Sequence, residues 1–225
     1  MRLNNDELSS IKGVIFDFDF TLANSSKGVV KCVNYALKQL GLEEYPEKEI
    51  YKTIGLSLDH TLIQLVGNHH VDKIELFKHY FIKKADDIMA NLTILFPETP
   101  NVIKKLYNHG LKLSIVSTKF RYRIKTILSR ENLLDNFEFI VGGEDISTPK
   151  PDPFGLMLAV KNLNLLHSEV IYIGDSITDA ETANRADIPF IAVLSGVTPR
   201  KAFRPYQVRE FLGELSELLN LLHIE

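Results

Sequence analysis

Hydrophobic residues follow two kinds of pattern along this chain. Short, continuous apolar runs, which are typical of buried strands, occupy residues 13–16, 111–116, 137–141, 169–173 and 188–193. From residue 91 onward these runs alternate with segments whose apolar residues recur at helical spacing. Such alternation predicts a parallel sheet with helices on both faces, which is an α/β fold. The predicted helices of this part end near residue 110, span 121–130, open at Pro153, and span 178–186 and 208–222.

The stretch between the first and second predicted strands has a different pattern. Apolar residues recur at helical spacing within 29–40, 58–66 and 74–89, and no strand-like run interrupts them. Since this is too much helix for a single crossover, we expect an inserted helical cap over residues 24–90. The α/β core is then expected to comprise residues 1–23 and 91–225.

Polar residues whose side chains could take part in catalysis or metal binding follow several of the predicted strands. Asp17 and Asp19 come directly after the first strand, and Ser117, Lys150 and Asp175 follow later ones. In open α/β sheets, ligands bind outside the carboxyl ends of the strands. A pair of carboxylates there can supply a nucleophile and a proton carrier, or oxygen ligands for a divalent cation. On residues 17–22 alone, a solvated Asp pair that closes a strand is an equal alternative, and the polar residues after the later strands favour function.

Four short motifs occur along the chain in this order: Asp17-Phe-Asp19-Phe-Thr21, Ser117-Thr118-Lys119, Pro149-Lys150-Pro151, and Gly174-Asp175 with Asp179 four residues later. Together they resemble the motifs of the haloacid-dehalogenase-like superfamily, and within it the phosphoglycolate-phosphatase-like branch. The resemblance implies a Rossmann-like parallel sheet with the first strand central, a small helical cap inserted after the first motif, and a Mg²⁺-dependent phosphatase.

The resemblance also implies a role for each matching residue. Asp17 is expected to attack phosphorus and form an aspartyl-phosphate, while Asp19 protonates the leaving oxygen and later activates water. The phosphate-binding residues are expected to be Ser117, Thr118 and Lys150. Lys150 is also expected to act in catalysis, by offsetting the charge of Asp17 and the phosphate.

The expected cofactor is Mg²⁺, held by the Asp17 side chain, the Asp19 backbone carbonyl and the Asp175 side chain, with Asp179 orienting the site. By the same resemblance, Gly55 and Leu58 belong to a cap loop that selects the substrate.

Two residues depart from the family pattern. Phe20 stands where the family most often has glycine, and Asn24 stands where an acid is usual. Both departures bear on the substrate more than on the reaction. Phosphoglycolate is the best single guess by resemblance, but a phosphomutase or a pyrophosphatase on the same core stays open. From another class, a catalytically silent binding protein on this fold also stays open.

Charge and composition limit the kinds of partner that the chain can bind. The net charge is -3, so the chain has no strong basic field for nucleic acid or an anionic membrane surface. No apolar run approaches the ~20 residues that span a bilayer. With a single cysteine, Cys32, no intrachain disulfide can form. We therefore expect a cytoplasmic protein, and the resemblance implies that it is an enzyme acting on a small phosphorylated metabolite; its oligomeric state stays open.

Overall fold

The computed structural model describes residues 5–225 and contains a six-stranded sheet. Its strand order is 5-4-1-6-7-8, every pairing is parallel, and the first strand lies between the fourth and the sixth. The predicted α/β fold with a central first strand is thus confirmed. The strands are β1 (Gly13–Phe16), β2 (Ala23–Asn24), β3 (Ile94–Leu95), β4 (Lys112–Val116), β5 (Phe139–Val141), β6 (Val170–Gly174), β7 (Phe190–Val193) and β8 (Glu210–Leu212).

Helices cover both faces of the sheet, which explains why every residue of β1, β6 and β7 is buried. All the α-helices of the described part of the chain, including those of the insert, are α1 (Asn5–Ser9), α2 (Ser26–Gln39), α3 (Glu47–Tyr51), α4 (Leu58–Val66), α5 (Ile74–Leu92), α6 (Thr99–Asn108), α7 (Arg121–Arg130), α8 (Phe154–Leu163), α9 (Ile177–Ala186) and α10 (Glu217–Leu221).

The prediction of a last helix over residues 208–222 is wrong. The structure instead places strand β8 and the short helix α10 there. Phe211 and Leu212 pair with β7 at the edge of the sheet, and the Gly213 N–H donates to Glu217 where the strand ends. Pairing with an existing sheet outweighs a local helical pattern, which is a weak preference by comparison.

Helices α2 to α5 form a hydrophobic cluster of their own, separate from the two clusters that cover the sheet. Its buried members include Val33, Leu62, Phe77 and Phe81. The chain leaves the sheet through β2 and returns through β3, and these two strands pair antiparallel. The boundaries of the expected cap, residues 24–90, stay a prediction. No helix within residues 5–225 has the length and apolar character needed to cross a membrane.

Phe20 adopts a backbone conformation that normally favours glycine. Its φ angle is +61°, in the left-handed region, and its ring is buried. The ring meets Tyr51 of α3 edge-on, with 6.4 Å between the ring centres. Phe20 therefore links the loop that carries Asp17 and Asp19 to the helical insert, at the cost of a strained backbone. Its ring is not among the residues that line the cavity beside Asp19.

We predict that Phe20→Gly is more stable than Phe20→Ala. Both variants lose the ring, but only glycine relieves the left-handed strain of about 1–2 kcal/mol. Glycine's extra chain entropy offsets part of this gain, which leaves a difference of about 1 kcal/mol in the free energy of unfolding, measurable by urea denaturation. The control pair is Leu76→Gly and Leu76→Ala on the exposed face of α5, where alanine should be the more stable. An alanine variant at position 20 as stable as the glycine variant would contradict the assigned strain.

Candidate active site at the carboxyl edge of the sheet

Three adjacent strands deliver three of the predicted site residues to one edge. Ser117 follows β4, Asp17 follows β1 and Asp175 follows β6. Their backbones continue the sheet pairing: the Asp17 N–H donates to the Ile173 carbonyl at 2.8 Å and the Ser117 N–H donates to the Val141 carbonyl at 3.0 Å. All three side chains are buried, so the sheet fixes where these polar groups lie.

Lys150 reaches the same place from the loop between β5 and α8. Its ammonium lies 3.0 Å from Asp17 Oδ1 and donates hydrogen bonds to Asp179 Oδ1 at 2.5 Å and to the Tyr172 hydroxyl at 3.0 Å. Burial by itself would lower the pKa of Lys150, but the carboxylates of Asp17 and Asp179 reverse this and raise it. Lys150 is therefore a permanent positive charge at the centre of the site.

Asp179 is held in the first turn of α9 by a reciprocal helix cap. Its Oδ2 accepts from the Ser176 N–H and hydroxyl, while Ser176 Oγ accepts from the Asp179 N–H at 3.2 Å. Its Oδ1 accepts from Lys150 and, at 2.8 Å, from the Tyr172 hydroxyl. Both oxygens are thus engaged within the protein, which suits a residue that orients its neighbours.

Two glycines let the backbone approach these acids. A Cβ atom on Gly174 would lie 2.5 Å from Asp179 Cγ, and one on Gly196 would lie 1.9 Å from Asp175 Oδ2. A side chain at either position would displace a carboxylate. Gly196 belongs to the loop after β7 and has no place in the sequence motifs, so sequence reasoning missed it.

Asp17, Asp175 and Asp179 form a buried acidic cluster. Each offers a carboxylate oxygen, and these oxygens lie within 4.8 Å of one another. Burial raises the pKa of Asp17 to about 7; Lys150 opposes the shift, while Asp179 and Asp19 add to it. Burial, Asp179 and Asp17 likewise raise the pKa of Asp175. One lysine leaves this cluster with excess negative charge.

The donor set fits Mg²⁺. The ion prefers a few carboxylate oxygens together with water and phosphate oxygens. Within residues 5–225, Asp17 Oδ1 makes no hydrogen bond although it is buried. Asp175 Oδ1 accepts a long hydrogen bond, 3.4 Å, from the Thr21 hydroxyl. Asp17 and Asp175 therefore have oxygens to offer a cation, and the Asp19 carbonyl stays a predicted third ligand.

Asp19 faces a cavity of about 80 Å³ between the sheet edge and the helical insert. Its Oδ1 lies 3.2 Å from the buried Lys119 ammonium. The predicted cap-loop residues Gly55 and Leu58 line the same cavity. Thr118 lies on this side as well, and its hydroxyl donates to the Gly55 carbonyl at 3.4 Å.

The predicted residues thus fall into two adjoining groups. Asp17, Lys150, Asp175 and Asp179 share one network, while Asp19, Thr118, Gly55 and Leu58 surround the cavity. Ser117 is buried at the end of β4, and its hydroxyl oxygen accepts from the Lys119 N–H at 3.3 Å.

Sequence reasoning missed two side chains with polar contacts in this site. Tyr172 contacts Lys150 and Asp179, and Lys119 contacts Asp19. For Tyr172 the available signal was a single hydroxyl in an otherwise aliphatic strand. Burial raises the pKa of that hydroxyl, which is therefore a neutral hydrogen-bond donor in this network.

Comparison with known proteins identifies the family. A family model described as haloacid dehalogenase-like hydrolase matches residues 14–193, which include all four motifs. The chain belongs to this family. A phosphoglycolate phosphatase of Salmonella typhimurium is 26% identical to it, over 97% of this chain and 96% of the relative. A phosphoglycolate phosphatase of Yersinia pseudotuberculosis is 28% identical, over 95% and 94%.

Solved structures of haloacid dehalogenase-like hydrolases share the fold. One from Bacteroides fragilis, described by that family name, is 39% identical, covers 92% of this chain and 99% of its own, and superposes with a TM-score of 0.89. The resemblance inferred from the four motifs is confirmed, as is the enzyme class, a phosphoric monoester hydrolase of the haloacid dehalogenase-like type. The roles of the individual residues stay predictions.

We predict that Mg²⁺ stabilises this hydrolase more at about pH 8 than at about pH 5. The folded pKa of Asp17 is about 7 against an ordinary 3.8, so between these values the metal-free folded state binds more protons than the unfolded chain. Stability from this group is complete below pH 3.8 and is lost as the pH rises through 7. A cation bound to the ionised carboxylates should restore it.

Thermal unfolding with and without Mg²⁺ at the two pH values measures this effect, which should shrink in Asp17→Asn. The exposed Asp135→Asn is the matched control and should behave like the wild type. Stabilisation by Mg²⁺ that is equal at both pH values, or larger at the lower one, would contradict binding to this cluster.

Proposed function

We propose that the protein is a Mg²⁺-dependent phosphatase that hydrolyses a small organic phosphate monoester through an aspartyl-phosphate on Asp17. The observation that carries the proposal is the setting of Asp17: its carboxylate is buried, and its Oδ1 lies 3.0 Å from the Lys150 ammonium without making a hydrogen bond within residues 5–225. Curated relatives of nearly the same length are phosphoglycolate phosphatases, which makes phosphoglycolate the first candidate substrate.

The proposed reaction has two steps. In the first, an Asp17 oxygen attacks phosphorus, the bond from phosphorus to the ester oxygen breaks, and Asp19 gives that oxygen a proton. In the second, Asp19 takes a proton from water as the water oxygen attacks phosphorus. Inorganic phosphate leaves, and the Asp17 carboxylate is regenerated. Asp19 thus returns to its starting protonation state after each turnover.

Charge neutralisation is the other requirement of phosphoryl transfer. Lys150 supplies a fixed positive charge beside Asp17, and the hydroxyls of Ser117 and Thr118 are the proposed donors to the phosphate oxygens. Magnesium, when bound by Asp17, Asp175 and the Asp19 carbonyl, offsets the repulsion between the phosphate and the attacking carboxylate. Tyr172 and Asp179 hold Lys150 in position for this task.

We predict that Asp17→Asn loses at least ~10³-fold in kcat, the scale expected when covalent catalysis is removed. Asparagine has nearly the same shape but is a poor nucleophile, so the fold should persist. Phosphate release from phosphoglycolate and from an aryl phosphate with Mg²⁺ is the measurement, and Asp135→Asn is the control. Near-normal turnover in Asp17→Asn would refute the assignment of the nucleophile, and the absence of activity in the wild type would favour a silent binding protein.

The helical insert is proposed to act as a cap, residues 24–90, that closes over the site. The paired strands β2 and β3 are the passages between insert and sheet, so hinges are proposed near residues 23–24 and 90–96. Closure would exclude water and strengthen the electrostatic interactions inside. Leu58 and Gly55 line the cavity beside Asp19, which supports a role for this loop in contacting the leaving group.

We predict that Leu58→Phe changes the ranking of substrates. The phenylalanine ring is larger than the leucine side chain, and in a cavity of about 80 Å³ it should exclude the bulkier leaving groups. Activity on a small generic phosphate should stay within about tenfold, a barrier change of roughly 1.4 kcal/mol. A panel of phosphorylated metabolites measures the ranking, with Leu76→Phe on the exposed side of α5 as control. An equal loss on every substrate would mean that the loop supports the fold and does not select the substrate.

A further inference from the structure

Three cationic side chains are buried in the described part of the chain, and two of them make several hydrogen bonds. Lys150 holds Asp17, Asp179 and Tyr172, as described above. Arg123 on α7 binds Asp86 of α5 through two nitrogens, at 2.6 and 3.1 Å, and donates to the Ile82 carbonyl at 3.2 Å. Lys119 is the third.

Lys119 differs from the other two in its partners. Its side chain is 4% exposed, and its ammonium lies 3.2 Å from Asp19 Oδ1. The Lys119 ammonium and Asp19 Oδ1 form an ion pair without the geometry of a hydrogen bond, so Asp19 Oδ1 has no hydrogen-bond partner within residues 5–225. An ammonium can donate three hydrogen bonds, and burying a charge that is not fully paired is costly. Lys119 thus has donors to offer to something else.

The cavity shows where those donors can be used. Lys119 lines it beside Asp19, and the opposite wall, from the helical insert, is largely apolar. Arg123 also lines the cavity, but its guanidinium is committed to Asp86. Asp19 is the one carboxylate on the described wall. The apolar residues that the helical insert contributes to the wall include Val33, Ile54, Leu58, Phe81 and Met89.

We infer that Lys119 binds a second anionic group of the substrate, a carboxylate or a phosphate carried by the leaving group. This inference rests on the proposed function, in which Asp19 protonates the leaving oxygen. Since Lys119 lies 3.2 Å from Asp19, the anion it binds must be close to that oxygen in the substrate. The cavity volume of about 80 Å³ is well below the roughly 300–1,000 Å³ of sites for drug-sized ligands, so the leaving group is small.

A narrower role for Lys119 is the rival explanation. Lys119 could serve only to place the Asp19 carboxylate, in which case its removal would slow all substrates equally. An anion-binding role predicts instead that substrates with and without the second charge respond differently. The ratio of kcat/KM for two substrates of equal size separates the two roles, because any damage to Asp19 cancels in that ratio.

The experiment compares 2-phosphoglycolate with 2-hydroxyethyl phosphate, which has a neutral hydroxyl in place of the carboxylate. In Lys119→Met the ratio of kcat/KM should fall by about 10- to 100-fold, the value of a charge-assisted hydrogen bond. Lys119→Arg should keep a larger part of the preference. Lys125→Met removes an exposed lysine from α7, the helix that follows Lys119, and should leave the ratio within about twofold of the wild type. A wild-type preference for pyrophosphate over phosphoglycolate would identify the second anion as a phosphate; the reverse would identify a carboxylate.

A wild-type ratio near one, or an unchanged ratio in Lys119→Met, would overturn the inference while leaving the phosphatase proposal intact. Binding decides the matter even if no substrate is turned over. Calorimetry with 3-phosphonopropionate and with propylphosphonate, which lacks the carboxylate, should give the same preference, lost in Lys119→Met and kept in Lys125→Met. Equal Kd values for the two phosphonates would also overturn the inference, whereas a clear preference without any phosphate release would sink the phosphatase proposal alone.

Discussion

The buried ion pairs of Lys150 with Asp17 and Asp179 are the interaction on which the rest of the site depends. They join the end of the central strand, the loop after β5 and the first turn of α9 through one ammonium. Removing one partner from a buried ion pair typically costs about 3–5 kcal/mol, because the remaining charge is left unpaired. Even with Lys150 in place, three buried carboxylates that are all ionised carry more negative charge than one lysine can balance, and this imbalance is the physical reason to expect a cation there.

A second buried pair, Asp19 with Lys119, lines the cavity between the sheet edge and the helical insert. The two pairs divide the proposed work. Lys150 and the acidic cluster act on the phosphoryl group, which every substrate shares, whereas Lys119 and the cavity wall meet the part that differs between substrates. Phe20, whose backbone is in the left-handed conformation, ties the loop that carries Asp17 and Asp19 to the helical insert through its contact with Tyr51.

Much of this arrangement could be predicted from sequence, because buried parallel strands leave continuous apolar runs and their carboxyl ends meet at one edge. Asp17, Ser117 and Asp175 are of this kind. The role of Tyr172 could not be predicted, since it depends on Lys150 arriving from a distant loop. The predicted helix over 208–222 was wrong because pairing of Phe211 and Leu212 with β7 is a long-range contact that local periodicity does not contain. Lys119 was visible within a motif, but its burial and its position beside Asp19 were not.

The central claim is that this network prepares Asp17 to form a covalent bond to phosphorus. The most direct measurement is to quench the enzyme in acid during turnover of phosphoglycolate with Mg²⁺, reduce it with borohydride and sequence the peptides by mass spectrometry. An aspartyl-phosphate is converted to homoserine, so homoserine at position 17, dependent on substrate, is the predicted result. Turnover with Asp17 unmodified, or with the modification on Asp19 or Asp175, would contradict the claim.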